Sequence, residues 1–166
     1  MFTKVFLFIV LVGSMCGFSF GADEFALLRE ERIGNLRIGS SETEVKKGIK
    51  CPLKRGPEEL WEADATYHQE WRYAGCGIRL GMVSEKRGGP KSVASITAVA
   101  PSILSTKKGI GIGSTEQEVM TAYRPYWNRE ESKQFGSFVA GSVYGGLIFH
   151  FQNGQVSEIF LGAAAE

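Results

Sequence analysis

The chain has 166 residues, 43% of them hydrophobic, and carries 19 Lys and Arg residues against 18 Asp and Glu residues. This length and composition suffice for one domain with a hydrophobic core. A formal net charge of +1 gives neither the basic footprint of a nucleic-acid-binding protein nor the polybasic patch of a membrane-surface protein.

The first 21 residues have the pattern of a secretory signal peptide. Lys4 supplies a positive charge, Val5–Val12 is an unbroken apolar run, and small residues at Ser19 and Gly21 suit cleavage after position 21. The apolar run is too short for a committed membrane span. Cys16 resembles a lipoprotein cysteine, but the bulky residue before it disfavours lipidation. We therefore predict a periplasmic or secreted mature protein of 145 residues (166 − 21).

Two cysteines, Cys51 and Cys76, remain after removal of this segment. An even pair in an oxidising compartment most simply forms a disulfide bond. It would close a loop of 25 residues (76 − 51), worth about 3 kcal/mol in the chain-entropy model. The alternative is a reactive thiol or a metal pair, for which the sequence has no nearby CxxC spacing and no suitable histidine.

One eight-residue segment occurs twice, as Ile38–Val45 and as Ile112–Val119, with six identical positions and an offset of 74 residues (112 − 38). A fixed period predicts two copies of one supersecondary unit. We assign residues 22–104 to repeat 1 and residues 105–166 to repeat 2, within one structural domain.

Each copy begins with a predicted helix. The first turns carry capping boxes, formed by Ser41 with Glu44 and by Thr115 with Glu118. Because a proline follows each segment, the helices are predicted over about Glu42–Lys50 and Glu116–Arg124. Such short helices cannot stand alone and must lie on a sheet.

Three strands are predicted after each helix: Tyr67–Tyr73, Gly77–Ser84, Ser92–Ala100, Ser137–Tyr144, Leu147–Gln152 and Gln155–Leu161. The resulting fold class is α+β, in which each repeat combines a short helix or helix pair with an antiparallel meander of three to four strands. Asn153-Gly154 is the preferred pair for a two-residue hairpin turn. With this turn, one face of the last hairpin is nearly all apolar, and the other is mixed and carries Ile148, His150, Ile159 and Leu161.

These residues together resemble a known group of exported bacterial proteins. The pattern is a strand ending in Ile-Gly, a Ser/Thr-capped Glu-x-Glu-Val helix, a Trp/Tyr strand and a closing Gly-x-Val-x-x-Ile, over roughly Ile33 to Gly162. It resembles the tandem-repeat fold of the beta-lactamase inhibitor proteins and the single unit of the small lipoproteins of the outer-membrane barrel-assembly machinery. The resemblance implies a noncatalytic protein that grips another protein on a concave sheet surface. The chain differs in having one candidate disulfide, where the inhibitors generally have one per repeat.

No pattern of catalytic or ligand-binding residues reaches the spacing that its chemistry requires. The run Gly109–Gly113 has neither GxGxxG spacing nor the Lys-Ser/Thr of a phosphate loop, which favours a structural turn. Two lone histidines, His68 and His150, fall short of the three ligands of a catalytic zinc, and no Gly-x-Ser-x-Gly elbow is present. We therefore predict no catalytic residue, no metal ligand and no cofactor.

Aromatic residues are the better candidates for a binding site, since Trp and Tyr dominate interface hot spots. The alternative is that half or more of them pack in the core. Two loops, Pro57–Trp61 and Pro125–Asn128, are predicted to present aromatics, with the Glu85–Pro90 turn as a flexible specificity loop and residues 128–133 as a charged rim. The candidate partner-binding residues are Trp61, Trp71, Arg72, Tyr73, Tyr126, Trp127 and Tyr144.

The favoured hypothesis is an inhibitor or immunity protein that blocks an exported hydrolase or toxin through the mixed sheet face. A cell-envelope assembly or structural accessory protein is the alternative, and an enzyme is a third hypothesis of low weight.

Overall fold

The structure is a computed structural model that describes residues 26–164. The predicted signal peptide and Cys16 lie outside the described residues. Within residues 26–164, seven antiparallel strands form one sheet in the order β1-β2-β3-β4-β7-β6-β5, and short helices pack against it. The predicted α+β class is thereby confirmed.

The strands are β1 (Lys54–Trp61), β2 (Thr66–Tyr73), β3 (Ile78–Ser84), β4 (Ser92–Val99), β5 (Phe138–Ser142), β6 (Gly145–Gln152) and β7 (Gln155–Gly162). The α-helices are α1 (Ala26–Glu30), α2 (Glu42–Gly48), α3 (Glu116–Tyr123) and α4 (Arg129–Phe135), with 3-10 turns at Ala74–Cys76 and Arg124–Tyr126. All six predicted strands and both predicted helices are present, with ends shifted by at most two residues. Two segments predicted as loops are regular structure instead, because β1 covers Pro57–Trp61 and α4 covers most of residues 128–133.

Both predicted capping boxes form. The Ser41 N–H donates to Glu44 Oε2 at 2.7 Å, and the Thr115 N–H donates to Glu118 Oε2 at the same distance of 2.7 Å. The reciprocal bonds, from each glutamate N–H to the capping hydroxyl, are 3.4 and 3.2 Å long. These backbone hydrogen bonds hold the pKa of both glutamates below the usual range. The caps thus fix where α2 and α3 begin.

The glycine before each cap is tied to the sheet in the same way in both copies. The Gly39 N–H donates to the Val93 carbonyl on β4 at 2.7 Å, and the Gly113 N–H donates to the Val156 carbonyl on β7 at 2.9 Å. The two copies of the eight-residue segment therefore make matching contacts with β4 and β7. The assignment of the whole chain to two repeats stays a prediction.

The β6–β7 hairpin contains a β-bulge that the sequence did not reveal. The predicted two-residue turn is present, but the register shifts by one residue between His150 and Phe151. Because a one-residue shift exchanges the faces of a strand, the predicted face of Ile159 and Leu161 is wrong. Both are fully buried on the helix side of the sheet, whereas Phe160 lies on the opposite side, where Ile148 is its partner on β6.

The helices cover one face of the sheet and complete the core there. Val45 of α2 and Val119 of α3 are fully buried in one cluster with Trp71, Leu80 and Phe149 of the strands. Residues that pair across strands share a face, so the alternate residues of the same strands lie on the uncovered side.

The N-terminal segment crosses to the second half of the chain. Helix α1 lies against β6, and the buried Glu31 accepts hydrogen bonds from the Tyr123 hydroxyl and the Lys107 N–H, both at 2.7 Å. Burial, together with the nearby Glu31 carboxylate, raises the pKa of Tyr123. This carboxylate joins the two halves of the chain through the core.

The predicted disulfide between Cys51 and Cys76 is confirmed, with the two Cα atoms 5.9 Å apart. It joins the chain after α2 to the 3-10 turn between β2 and β3. Gly77 follows at a φ of 62°, where an added Cβ would lie 2.1 Å from the Val99 carbonyl oxygen, so only glycine fits. Among residues 26–164, no helix has the length and apolar character needed to cross a membrane.

Candidate protein-binding face

The uncovered face of the sheet carries an open groove of about 1010 Å³. Its floor consists largely of small residues on β3 and β4, including Gly81 and Ser95, which are cross-strand partners. Trp61 and His68 line one end, and Phe160 lines the far side on β7. We call this region, from β1 across to β7, the open face.

An aromatic stack forms one end of the open face. The Trp61 and His68 rings are 3.7 Å apart between centroids and lie within 7° of parallel. His68 Nε2 lies 2.8 Å from Asp64 Oδ2, in the turn between β1 and β2. Hydrogen bonds from His68, and then from Thr66, lower the pKa of Asp64 to about 2. These contacts hold the Trp61 indole flat on the imidazole, although Trp61 is 36% exposed.

Three basic residues follow one another across the open face. Lys54 on β1 is the cross-strand partner of Arg72 on β2, which in turn is the partner of Arg79 on β3. We call these three residues the basic row. The Arg72 Nε forms an ion pair with Glu70, and Arg79 Nη2 lies 3.3 Å from Glu158 Oε2.

The far part of the uncovered side is closed. Val139, Val143 and Ile148 form a second apolar cluster there with Phe160 packed against it. The chain after β7 contacts this cluster at Val143, whose carbonyl accepts a hydrogen bond from the Ala164 N–H at 2.7 Å. The open face is therefore limited to β1–β4 and the neighbouring part of β7.

The two edges of the sheet are poor templates for another strand. At β5, the Asn128 N–H donates to the Val139 carbonyl at 2.9 Å, and the Val139 N–H donates to Ser132 Oγ at 2.9 Å. At β1, the pairing register with β2 shifts between Arg55 and Glu58, and the strand contains Pro57. Bulges, prolines and covering segments all disfavour strand addition at an edge.

No protein-family model, curated protein or solved structure matches the chain. The resemblance to the beta-lactamase inhibitor proteins therefore stays a prediction.

The structure separates the predicted site residues into three groups. Trp61 and Arg72 lie on the open face. Trp71 and Tyr73 are only 1% and 2% exposed and pack in the core on the helix side. Their prediction as partner-binding residues is corrected, because strand alternation points them away from Arg72 and the helices cover that side.

The third group lies at the opposite edge of the sheet. Tyr126 and Trp127 are half-buried beside β5, where Trp127 Nε1 donates to Ser132 Oγ at 3.0 Å. Tyr144 is 60% exposed in the turn between β5 and β6. The two aromatic segments predicted to act together are thus on β1 and beside β5, the two edge strands, and do not form one surface.

The Glu85–Pro90 turn, predicted to be flexible, is anchored to β1. Glu58 Oε2 accepts a hydrogen bond from the Gly88 N–H at 2.9 Å, and Glu58 Oε1 lies 2.6 Å from Lys91 Nζ. Both side chains of this ion pair are nearly buried, at 15% and 7% exposure. The hydrogen bonds from Lys91 and Gly88 hold the pKa of Glu58 below its usual range.

The two histidines lie on β2 and β6 with three strands between them. At the usual strand spacing they are roughly 19 Å apart, so they cannot act as one catalytic site. In the part of the chain that the structure describes, no group of three or more His, Cys, Asp and Glu residues could hold a metal ion.

The sequence prediction omitted several residues of the open face, namely Asp64, Arg79, Glu158 and Phe160. Alternation within the predicted strand Gly77–Ser84 could have placed Arg79 on the same face as Arg72, since the predicted bounds of both strands lie within one residue of those observed. Phe160 could not have been placed, because the β6–β7 bulge reverses its face. The pairing of Asp64 with His68 depends on a turn that was not predicted.

Proposed function

We propose that the protein is an exported, noncatalytic binding protein that blocks another protein through the open face. An inhibitor or immunity protein acting on an exported hydrolase or toxin fits this description. The observation that carries the proposal is the asymmetry of the sheet, whose one face is packed against helices while the other presents a wide groove.

The character of the groove favours a macromolecular partner. Small-molecule sites are usually enclosed and mostly apolar, whereas the open face is broad and carries ion pairs such as Arg72 with Glu70. Trp61 at its end offers the large, partly exposed ring that anchors many protein interfaces. Because both sheet edges are protected, a partner is expected to contact the face and not to add a strand.

Affinity capture from the native exported fraction tests this proposal, with the disulfide-bonded mature protein as bait. Trp61→Ala and Tyr144→Ala are the matched variants, since each removes one exposed aromatic side chain. Trp61 lies on the edge strand β1, and Tyr144 follows the opposite edge strand β5. We expect a stoichiometric partner that is retained by wild type and Tyr144→Ala but is lost with Trp61→Ala. The captured protein should then lose its own activity when wild type is added in equal amount.

A partner that Tyr144→Ala loses and Trp61→Ala retains would move the binding surface to the β5 side of the sheet. A partner that binds without any loss of activity would contradict the inhibitor proposal and favour an accessory role.

A further inference from the structure

The basic row is an unusual arrangement for a surface that serves only stability. Lys54 pairs with Arg72 and Arg72 pairs with Arg79 across three adjacent strands, so the three side chains lie on the same face. Like charges placed directly opposite one another destabilise a sheet. A row of three therefore reduces stability unless something negative approaches it.

The carboxylates nearby neutralise the basic row only in part. Arg72 pairs with Glu70 and Arg79 with Glu158, and all four side chains are between 32% and 58% exposed. Lys54 has no ion-pair partner among the described residues. A guanidinium has five N–H donors, so each arginine keeps donors that its single glutamate does not use.

We infer that the basic row binds a carboxylate of the partner protein, an Asp or Glu side chain that enters the groove between Arg72 and Arg79. This inference rests on the proposed function, of which it specifies the partner's chemistry. Arginine forks match carboxylate geometry and give bidentate hydrogen bonds.

The surrounding charges select an isolated carboxylate over a continuous polyanion. Glu59 lies on the same face two rows further along the sheet, as the partner of His68, and Glu70 and Glu158 flank the arginines. A nucleic acid strand lying across this face would bring phosphates close to these carboxylates as well as to the arginines. The net charge of +1 also provides no long-range attraction for a polyanion.

The floor beside the basic row has space for the residue that carries this carboxylate. Gly81 and Ser95 lie next to the arginines on β3 and β4, and their lack of bulk leaves the groove open at that point. An acidic side chain on a partner loop can therefore reach the arginines while the loop backbone rests on this floor.

The test uses the mature, disulfide-bonded protein labelled with nitrogen-15 and the capped peptide Ac-Ala-Ala-Asp-Ala-Ala-NH2 as probe. We expect saturable shifts of the Arg72 and Arg79 Nε–H resonances, with affinity in the millimolar range. The peptide in which Asn replaces Asp should leave both resonances unchanged. A ten-nucleotide single-stranded DNA should bind these arginines more weakly than the Asp peptide does.

Lys54→Gln and Lys133→Gln are the matched variants, because each removes one exposed lysine and only Lys54 belongs to the basic row. Lys54→Gln should weaken binding of the Asp peptide about three-fold, the size of an exposed charge contact. It should also leave the melting temperature unchanged or slightly raised, because it relieves like-charge repulsion. Lys133→Gln should change neither quantity.

Equal shifts with the Asp and Asn peptides, tighter binding of the DNA, or equal effects of the two lysine variants would each overturn the inference. Failure here is separable from failure of the proposed function. Loss of peptide binding with Trp61-dependent capture intact would remove only the carboxylate site, whereas peptide binding without any Trp61-dependent partner would remove the proposed function.

Discussion

Two tryptophans on neighbouring strands have opposite roles, and substitution should separate them. Trp71→Ala should lower the free energy of unfolding by about 3–5 kcal/mol, since it leaves a large cavity in the core. Trp61→Ala should lower it by less than about 1 kcal/mol, because Trp61 is partly exposed on the edge strand. Urea denaturation followed by circular dichroism measures both values, and similar losses for the two variants would contradict the assigned faces.

Asp64 links the end of the groove to pH. Its pKa is about 2 in the folded protein, chiefly because His68 and Thr66 donate hydrogen bonds to the carboxylate. Because the pKa is lower in the folded state, the ionised Asp64 stabilises the fold at pH values above the unfolded-state pKa of about 3.9. This contribution disappears as the pH falls toward 2.

Carboxyl carbon NMR should therefore give Asp64 a titration midpoint near 2. The stability difference between wild type and Asp64→Asn should shrink between pH 4 and pH 2. His68→Phe is the control, and it should move the midpoint back toward the ordinary value for aspartate. A midpoint that stays unchanged in His68→Phe would show that the His68 contact does not govern this carboxyl.

At the scale of single residues, the sequence predicted which side chains of a strand share a face. It did not predict which of the two faces the helices cover. Alternation in β2 correctly separated Trp71 and Tyr73 from Arg72. Which face of a strand the helices cover depends on packing between distant segments. The prediction therefore relied on residue type alone, and it placed the buried Trp71 and the partly exposed Trp61 in one binding site. The same limit applies to the basic row, whose members come from three strands.

The helix caps are the clearest prediction at the scale of elements. Ser41→Ala and Thr115→Ala should each lower the free energy of unfolding by about 1 kcal/mol, because each removes the capping hydroxyl, which accepts from the glutamate N–H and donates to the glutamate carboxylate. The losses should add in the double variant, since the caps lie far apart. Thr43→Ala, on the exposed surface of α2, is the matched control and should be nearly neutral. Strongly unequal losses would show that the two caps differ in their tertiary contacts.

Elements with a strong local signal were predicted, and those set by tertiary contacts were not. In strands β2–β7, polar and apolar residues alternate or the strand ends at a recognisable turn. Strand β1 contains Pro57 and four charged residues, and it forms a strand because β2 provides a pairing edge. The β6–β7 bulge is invisible in the sequence, because its position depends on how β7 also fits β4.

For the whole molecule, the Cys51–Cys76 bond is the main covalent constraint. Replacing both cysteines with serine should lower the free energy of unfolding by about 3 kcal/mol, mostly through greater freedom of the unfolded chain. Guanidinium denaturation measures this loss. Dithiothreitol should destabilise wild type to a similar degree and leave the double variant unchanged. Any effect of the reductant on the double variant would point to a different cause.

The order of the strands also bears on how the chain folds. Every strand pairs with a neighbour in the chain, except that β4 also pairs with β7. Short loops close at small entropic cost, whereas the β4–β7 ladder must bring together segments separated by all of α3, α4 and the β5–β6 hairpin. We expect the pairings within each meander to form early, because they are local, and the β4–β7 ladder to form in the slowest step, where the two halves become one molecule. Substitutions in this ladder should then slow folding, which stopped-flow refolding would measure.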